Sequence, residues 1–418
     1  MFGLLDCNNF YVSCERVFNP ALCQKPVLVL SNNDGCVIAR SNEAKALGIQ
    51  MGTPAYQLKR VIEREKIHVF SSNYALYADM SGRVMQLLES CVPAMEVYSI
   101  DEAFLDLTGI TQLTSFGRKI IQMVMRGTGI PVSLGIASTK TLAKVANKFA
   151  KKYQSYQHVC LIDTQEKREK ALRLTNISDV WGIGHRLTEK LHQEGVKTAY
   201  DFTCLPRAWV RQNLHLGGLC VWQELQGEKC LDLEQEEMEK KQICTSRSFG
   251  EMVTELSVLK EAIATHAARC AAKLRKQNGC VVSLVVFIST NVHRTDLPQY
   301  WKSQLVSLLV PSDDTREIVT AALHGLEQIY KQGYNYKKAG VILTEIVAKV
   351  PFQQDLFDEK NHEKAFRLMQ AIDQINGFYH ECKIRLAVEG TGRRWRLKQE
   401  KRSLCYTTNW RELIRIRT

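Results

Sequence analysis

Two adjacent acids, Asp101 and Glu102, interrupt an otherwise apolar stretch, Val97–Leu107, that reads V-Y-S-I-D-E-A-F-L-D-L. In an extended strand, successive side chains point to opposite faces. Both carboxylates reach one site only if the chain bends, so the stretch predicts two strands meeting at a tight turn. Neighbouring carboxylates repel each other, and a divalent cation between them removes the penalty. A lone Asp-Glu pair is ordinarily a solvated hairpin tip; a third acid shifts the balance. Phe2, Leu4 and Leu5 form a short apolar run ending in Asp6, followed by Cys7-Asn8-Asn9-Phe10-Tyr11. That order predicts a buried strand opening into a site. Asp6 beside Asp101 and Glu102 would make a three-carboxylate cage for two metals ~3.5–4 Å apart, able to activate a hydroxyl and clamp a leaving oxygen. Hard oxygen ligands without a converging Cys/His cluster favour Mg²⁺.

Three stretches carry a resemblance: D-C-N-N-F-Y-V-S-C-E from Asp6, S-N-N-D-G-C-V-I-A-R-S-N-E-A-K-A-L-G-I from Ser31, and Y-S-I-D-E-A-F-L-D-L-T from Tyr98. Together they resemble the Y-family translesion DNA polymerases, and within them the UmuC-like branch, with similarity from residue 1 to the C-terminus. The resemblance implies an α+β multidomain, right-hand architecture. A ferredoxin-like palm would span 1–10 and 74–163, and small fingers 11–73. A helix–hairpin–helix thumb would span 164–232, a linker 233–242, a β-α-β-β-α-β little finger 243–349 and a tail 350–418. It also implies that Asp6, Asp101 and Glu102 are the catalytic acids and hold two Mg²⁺ ions with the main-chain carbonyl of Cys7. Phe10 and Tyr11 would line the nucleotide site, with Tyr11 the steric gate that collides with a ribose 2′-OH. Lys45 and Lys151 match the family's triphosphate-binding positions. Implied partners are primer–template DNA, a dNTP, a dimer of processed UmuD, RecA and the β sliding clamp.

Composition agrees with a polyanionic partner. The 418 residues carry a net charge of +12, which suits nucleic acid and would also suit an acidic membrane surface. No segment approaches the ~20 apolar residues of a membrane span, and Phe2–Leu5 is too short for a signal peptide. The 14 cysteines are scattered without a C-x-x-C pair, as expected of free thiols in a reducing cytoplasm rather than a zinc site.

Along the chain, Val27–Leu30 predicts a strand, Ser31–Gly35 a turn and Glu43–Leu47 a helix. Fingers this small would close little over the nascent base pair and select weakly by shape. Tyr77, Met80, Val84, Leu87 and Leu88 recur at helical spacing, Phe116–Met125 predicts a second helix and Val132–Ala137 a strand. In Thr141–Lys152, Leu142, Val145, Ala146 and Phe149 share one helical face, while Lys144, Lys148, Lys151 and Lys152 read as a solvated one. Val180–Leu187 contains Gly182-Ile183-Gly184 between two expected helices, a hairpin whose glycines let backbone N–H groups approach a DNA phosphate without reading sequence. Leu231–Lys241 reads as a linker. Strand, helix, strand, strand, helix and strand follow at 243–251, 258–276, 281–290, 303–310, 315–331 and 338–347. That β-α-β-β-α-β order matches the family's little finger, an additional DNA-binding domain, with Arg247 a candidate phosphate contact.

The tail offers little periodicity. Gln353, Leu356 and Phe357, in Q-Q-D-L-F, resemble the peptide by which bacterial polymerases bind the sliding clamp. Trp395, among Arg393, Arg394, Arg396, Lys398, Lys401 and Arg402, could grip single-stranded DNA or dock a protein. The expected activity is error-prone, template-directed DNA synthesis past lesions in the SOS response. Two rivals stay open: another palm-type enzyme such as a nucleotidyl cyclase, and a non-catalytic DNA-binding scaffold of the same fold.

Overall fold

A computed structural model describes residues 1–234, 239–349, 361–379, 383–392, 395 and 397–414. The chain divides into two units, Met1–Glu237 with Glu400–Thr418, and Met238–Gln399. It therefore leaves the first unit once and returns to it near the C-terminus.

In the first unit, β1 (Phe2–Cys7) leads into α1 (Phe10–Phe18), β2 (Val27–Leu30), β3 (Val37–Arg40), α2 (Asn42–Ala46), α3 (Lys59–Arg64) and β4 (His68–Ser71). Next come α4 (Tyr74–Glu89), β5 (Met95–Val97), β6 (Glu102–Asp106), α5 (Leu113–Thr128), β7 (Val132–Ala137), α6 (Lys140–Lys152) and β8 (Val159–Ile162). The main sheet has the order β5-β6-β1-β7-β8, with β1 antiparallel to both its neighbours. Both faces are covered. Leu4, Phe104 and Ala137 meet the apolar stripe of α6, while Leu5, Leu105 and Ile136 face α1, α4 and α5. Every residue of β7 is buried, so this strand is a continuous apolar run rather than an alternating one. A second, three-stranded sheet, β3-β2-β4, lies in the segment expected to be fingers. Its edge strand β4 had no signal in the sequence strong enough to be read.

Four helices complete the unit: α7 (Gln165–Arg173), α8 (His185–Gln193), α9 (Ala199–Thr203) and α10 (Arg207–Gln226). The expected helix before Gly182 is only a 3₁₀ turn, Ile177–Asp179. Three residues there tighten into one turn because the chain must reverse at Gly182, whose φ of 90° no side chain tolerates easily.

The second unit contains β9 (Ile243–Val253), α11 (Leu256–Lys276), β10 (Gly279–Thr290), β11 (Trp301–Ser312), α12 (Thr315–Ile329) and β12 (Tyr336–Ala348). The antiparallel order β11-β10-β12-β9 places α11 and α12 on one face of the sheet. Among the described residues of this unit no helix covers the opposite face, and Leu309 on β11 is 96% exposed. An additional helix, α13 (His362–Phe378), follows in the tail, where the sequence shows no clear period. Trp395 corrects another expectation. Only 4% of it is exposed, because its ring packs into the same core, edge-on to His266, and so cannot stack on nucleic-acid bases.

Candidate active site

The three acids meet at one end of β1 and β6. Asp6 and Glu102 are direct register partners, and the N–H of Cys7 donates to the carbonyl of Asp101 at 2.8 Å. The predicted turn lies between β5 and β6. Ser99 holds it: its Oγ donates to Asp101 Oδ1 at 2.7 Å and accepts from the Asp101 and Glu102 N–H groups at 3.3 and 3.1 Å. Burial pushes the Asp6 carboxyl up to about 6, against the lowering effect of Lys151, and the charges of Glu102 and Asp101 add to the rise. Such a carboxylate gains from any cation that enters.

In this structure the cations are lysines of α6. Lys151 Nζ lies 2.5 Å from Asp6, and Lys144 Nζ reaches both Glu102 oxygens at 2.9 and 3.1 Å. The face read as solvated is therefore engaged with carboxylates. Lys140 goes further; it is buried and paired with the buried Glu96. Residues 144, 147 and 151 form one stripe of the helix, and Asn147 anchors its middle. Its Nδ2 donates to the carbonyls of Leu4 and Ser133 at 3.0 and 2.8 Å, one on β1 and one on β7. Gly135 permits that approach, because a Cβ there would sit 2.1 Å from the Asn147 nitrogen.

Among the described residues no three His, Cys, Asp or Glu side chains are spaced ready to hold a metal ion. The donor set nevertheless suits a hard divalent cation: Asp101 and Glu102 lie close enough to act on the Asp6 carboxyl, and all three offer oxygen donors only. Metal entry requires Lys151 and Lys144 to give up their carboxylates. Cys7 would contribute through its carbonyl alone, since burial and the charges of Asp6 and Asp101 push its thiol far above the usual range.

The other sequence candidates divide. Tyr11 is half-buried beside the acids, stacked on Tyr77 with centroids 4.6 Å apart and edge-on to Tyr74 at 6.1 Å. Burial raises its pKa, and the Tyr74 and Asp101 charges add to that. Phe10, by contrast, is 3% exposed, and its ring belongs to the core because it opens the buried stripe of α1. Lys45 stands at the end of α2, with Nζ 2.5 Å from Asn9 Oδ1. Burial lowers its pKa, as do the charges of Arg40 and Lys151, so three basic groups converge near Asp6.

Gly182 and Gly184 flank Ile183, which is buried and anchors the turn, and Gly184 is the N-cap of the nine-residue α8. Next to them Trp181 Nε1 donates to the Tyr98 hydroxyl at 3.1 Å. Arg247 does not face the open side of its sheet. It shares strand parity with the buried Ile243, Thr245 and Phe249, and its charge acts on His266 of α11. Gln353, Leu356 and Phe357 lie outside the described residues, as do Arg393, Arg394 and Arg396. From the sequence Lys144 was only one of a solvated row of lysines, and Glu15 went unremarked. Lys144 had a usable signal, lying seven residues before Lys151 on the same stripe. Glu15 had only its place on the apolar side of α1.

The sequence and the fold match those of known proteins. The impB/mucB/samB family model matches residues 5–148, the model of its C-terminal domain matches residues 240–356, and a domain of unknown function (DUF4113) matches residues 367–416. The protein ImpB of Salmonella typhimurium is 44% identical over 99% of both chains. The protein UmuC of Salmonella typhimurium strain LT2 is 43% identical over the full length of both. The DNA polymerase IV of Desulfatibacillum aliphaticivorans is 28% identical over 89% of this chain and 92% of that one. Among solved structures, a Y-family DNA polymerase chimera, Dbh-Dpo4(243-245)-Dbh, aligns with a TM-score of 0.66 at 20% identity, covering 83% of this chain and all of that one. An insertion ternary complex of Dbh DNA polymerase aligns at 0.55 and 21% identity with the same coverage. These last two show the fold. Among the described residues no helix is long and apolar enough to cross a membrane. With two of its models covering most of the sequence and near-half identity end to end, the chain belongs to the impB/mucB/samB family, the UmuC-like members of the Y-family DNA polymerases.

Proposed function

We propose that this chain extends a DNA primer opposite damaged template bases, as the error-prone polymerase of an SOS response. The carrying observation is the convergence of Asp6, Asp101 and Glu102 at adjoining strand ends beneath two lysines, with Tyr11 beside them. Two Mg²⁺ ions held by these carboxylates and the Cys7 carbonyl would supply Lewis acidity for an attacking hydroxyl and a departing phosphate. The protein's own part is positioning and charge. Lys151 and Lys45 bring positive charge to a dNTP triphosphate, and Lys151 exchanges its Asp6 partner for phosphate oxygens. Tyr11, backed by the Tyr77 ring, lies where it would meet the sugar of the nucleotide and reject a 2′-hydroxyl.

In this reading Met1–Glu237 supplies palm, fingers and thumb, and β9 through β12 supply the little finger. Gly182–Gly184 and the start of α8 grip a DNA phosphate through backbone N–H groups. Processed UmuD and RecA are proposed partners, and Gln353, Leu356 and Phe357 are the proposed tether to the sliding clamp, raising local concentration at a primer end.

Asp101→Asn tests the assignment in a primer-extension assay with Mg²⁺ and dNTPs. The substitution keeps the side chain's size, so folding and DNA binding should persist. Incorporation should fall by at least ~10³-fold, since one anionic contact to the reacting assembly is gone. Near-parental extension would sink the site. Absence of extension by the parent chain, with DNA binding retained, would favour the scaffold reading.

A further inference from the structure

The last described residues of the chain return to the first unit and pack behind Tyr11. Lys401 and Ser71 exchange backbone and side-chain contacts: Ser71 N–H donates to the Lys401 carbonyl at 3.0 Å, and Lys401 N–H to Ser71 Oγ at 2.9 Å. A parallel bridge between Ser71 and Arg402 extends the edge strand β4. Asn73, the N-cap of α4, then turns its Nδ2 to the Ser403 carbonyl, Ser403 Oγ and Leu404 carbonyl at 3.1, 3.0 and 3.2 Å. Finally the Tyr406 ring stacks on Phe18 at the end of α1, with centroids 4.8 Å apart and planes 11° from parallel.

One of these residues, Ser403, also reaches a buried acid. Glu15, on α1, is 2% exposed, and its Oε1 accepts from the Tyr77 hydroxyl at 2.6 Å and from Ser403 Oγ at 2.9 Å. Burial raises its pKa, and both hydroxyls counter that rise. Tyr77 is the ring on which Tyr11 stacks. A continuous line of contacts thus runs from Ser403 through Glu15 and Tyr77 to Tyr11, and a second, through Tyr406 and Phe18, pins the far end of the helix that carries Tyr11. The stretch belongs to the domain of unknown function matched at 367–416.

We propose that residues 400–409 are a strut for the nucleotide site, with Ser403 and Tyr406 as positioning residues that hold Tyr11 in place and thereby set sugar discrimination. The inference rests on the reading of Tyr11 as the steric gate. A backing ring that can shift lets the gate ring shift, and a 2′-hydroxyl then fits. The strut touches no reacting atom, so its loss should alter selectivity more than the chemistry itself.

The test uses full-length point variants, because deleting the segment would also strip cover from the core. For the parent, Tyr11→Ala, Ser403→Ala, Ser403→Thr and Tyr406→Ala, kcat/KM is measured for a matched dNTP and rNTP, with thermal unfolding as a folding check. Tyr11→Ala should raise the rNTP-to-dNTP ratio. Ser403→Ala should raise it about fivefold, the scale of one net hydrogen bond, and Ser403→Thr should restore the parental ratio. Tyr406→Ala should move the ratio in the same direction, and it decides the matter if Ser403→Ala fails to fold. A merely structural segment would lower both sugars' rates together and leave the ratio alone. Parental ratios in the tail variants, with a raised ratio in Tyr11→Ala, overturn the strut alone. An unchanged ratio in Tyr11→Ala overturns the gate, and the strut with it.

Discussion

The five-stranded sheet of the first unit and the four-stranded sheet of the second are both assembled from strands and helices, yet they bury different amounts of themselves. The first has helices on both faces, and β7 has no exposed residue. The second has helices on one face only; the second half of β10 alternates between buried and half-buried residues, and on β11 Ser303, Leu305, Ser307 and Leu309 are exposed. A sheet covered on both sides can present function only at strand ends or edges. In the first unit the charge accordingly collects where β1 ends and β6 begins. A sheet covered on one side keeps a broad surface free, and in the second unit that surface is the open face bearing Ser303, Leu305 and Ser307.

Glycine substitutions break this comparison most sharply. At Gly135 a new Cβ would meet backbone, the Asn147 nitrogen at 2.1 Å and the Ala143 carbonyl at 2.3 Å. Neither can move without lifting α6 from the sheet and its lysines from the acids. Gly135→Ala should therefore cost upwards of about 4 kcal/mol, the range of severe core overpacking, and abolish activity with it. At Gly340, on the open face, the same Cβ meets the Phe287 ring at 2.5 Å and Ser246 Cβ at 2.5 Å, both side-chain atoms. The Phe287 ring can rotate away, but Ser246 Cβ moves only with the edge strand β9, so Gly340→Ala should cost about 2–3 kcal/mol, still less than at Gly135, where backbone of a packed helix is in the way. Urea unfolding of the two variants measures the gap. Equal costs would mean that the open face is packed as rigidly as the closed one.

The same difference in burial decided what could be read from the sequence. Where one face is wet, alternation marks the strand, and all six elements from β9 to β12 begin and end within about two residues of their expected limits. The strands of the first unit's main sheet are short apolar runs, which locate a strand without saying what lies on either side. The three acids were legible because charge at the end of an apolar run is costly without a purpose. Their lysine partners were not, because a lysine on a helix is ordinarily solvated and only the tertiary fold reveals the Asp6 and Glu102 contacts. The return of residues 400–409 to the first unit was invisible for the same reason. It uses single polar contacts from Ser403 and Asn73, which leave no period.

A buried titrating group distinguishes the two units further. His266, on α11, is fully buried, and neither ring nitrogen has a hydrogen-bond partner among the described residues. Burial depresses its pKa from 6.5 to about 3, helped by the charges of Arg269 and Arg247. The folded chain thus refuses a proton that the unfolded chain accepts below about pH 6.5. Stability is full above that pH and falls as pH drops from 6.5 toward 3. By pH 5 the loss is about 2 kcal/mol. His266→Phe carries no such proton, so its stability relative to the parent should improve by that amount between pH 7 and pH 5 in urea unfolding. A constant difference between the two proteins would show that His266 is hydrated in solution.

The smallest effect is expected on the open face itself. Leu309 is 96% exposed, so its side chain gives up almost no apolar area to water when the chain unfolds. Replacing it by serine removes neither a buried contact nor a hydrogen bond. Backbone preference is the remaining term, and serine is somewhat less suited to a strand than a large side chain. Leu309→Ser should therefore change unfolding free energy by no more than about 0.5 kcal/mol. The equivalent change on the covered face, Leu284→Ser, removes a fully buried side chain and leaves a hydroxyl in an apolar core. That should cost more than about 3 kcal/mol, from the lost burial, the cavity and the desolvated hydroxyl together. The two residues lie on neighbouring strands of one sheet, so the ratio of their costs isolates burial from strand identity. A loss above about 1.5 kcal/mol for Leu309→Ser would mean that β11 is covered in the folded chain, and the contrast between a two-sided and a one-sided sheet would fail there first.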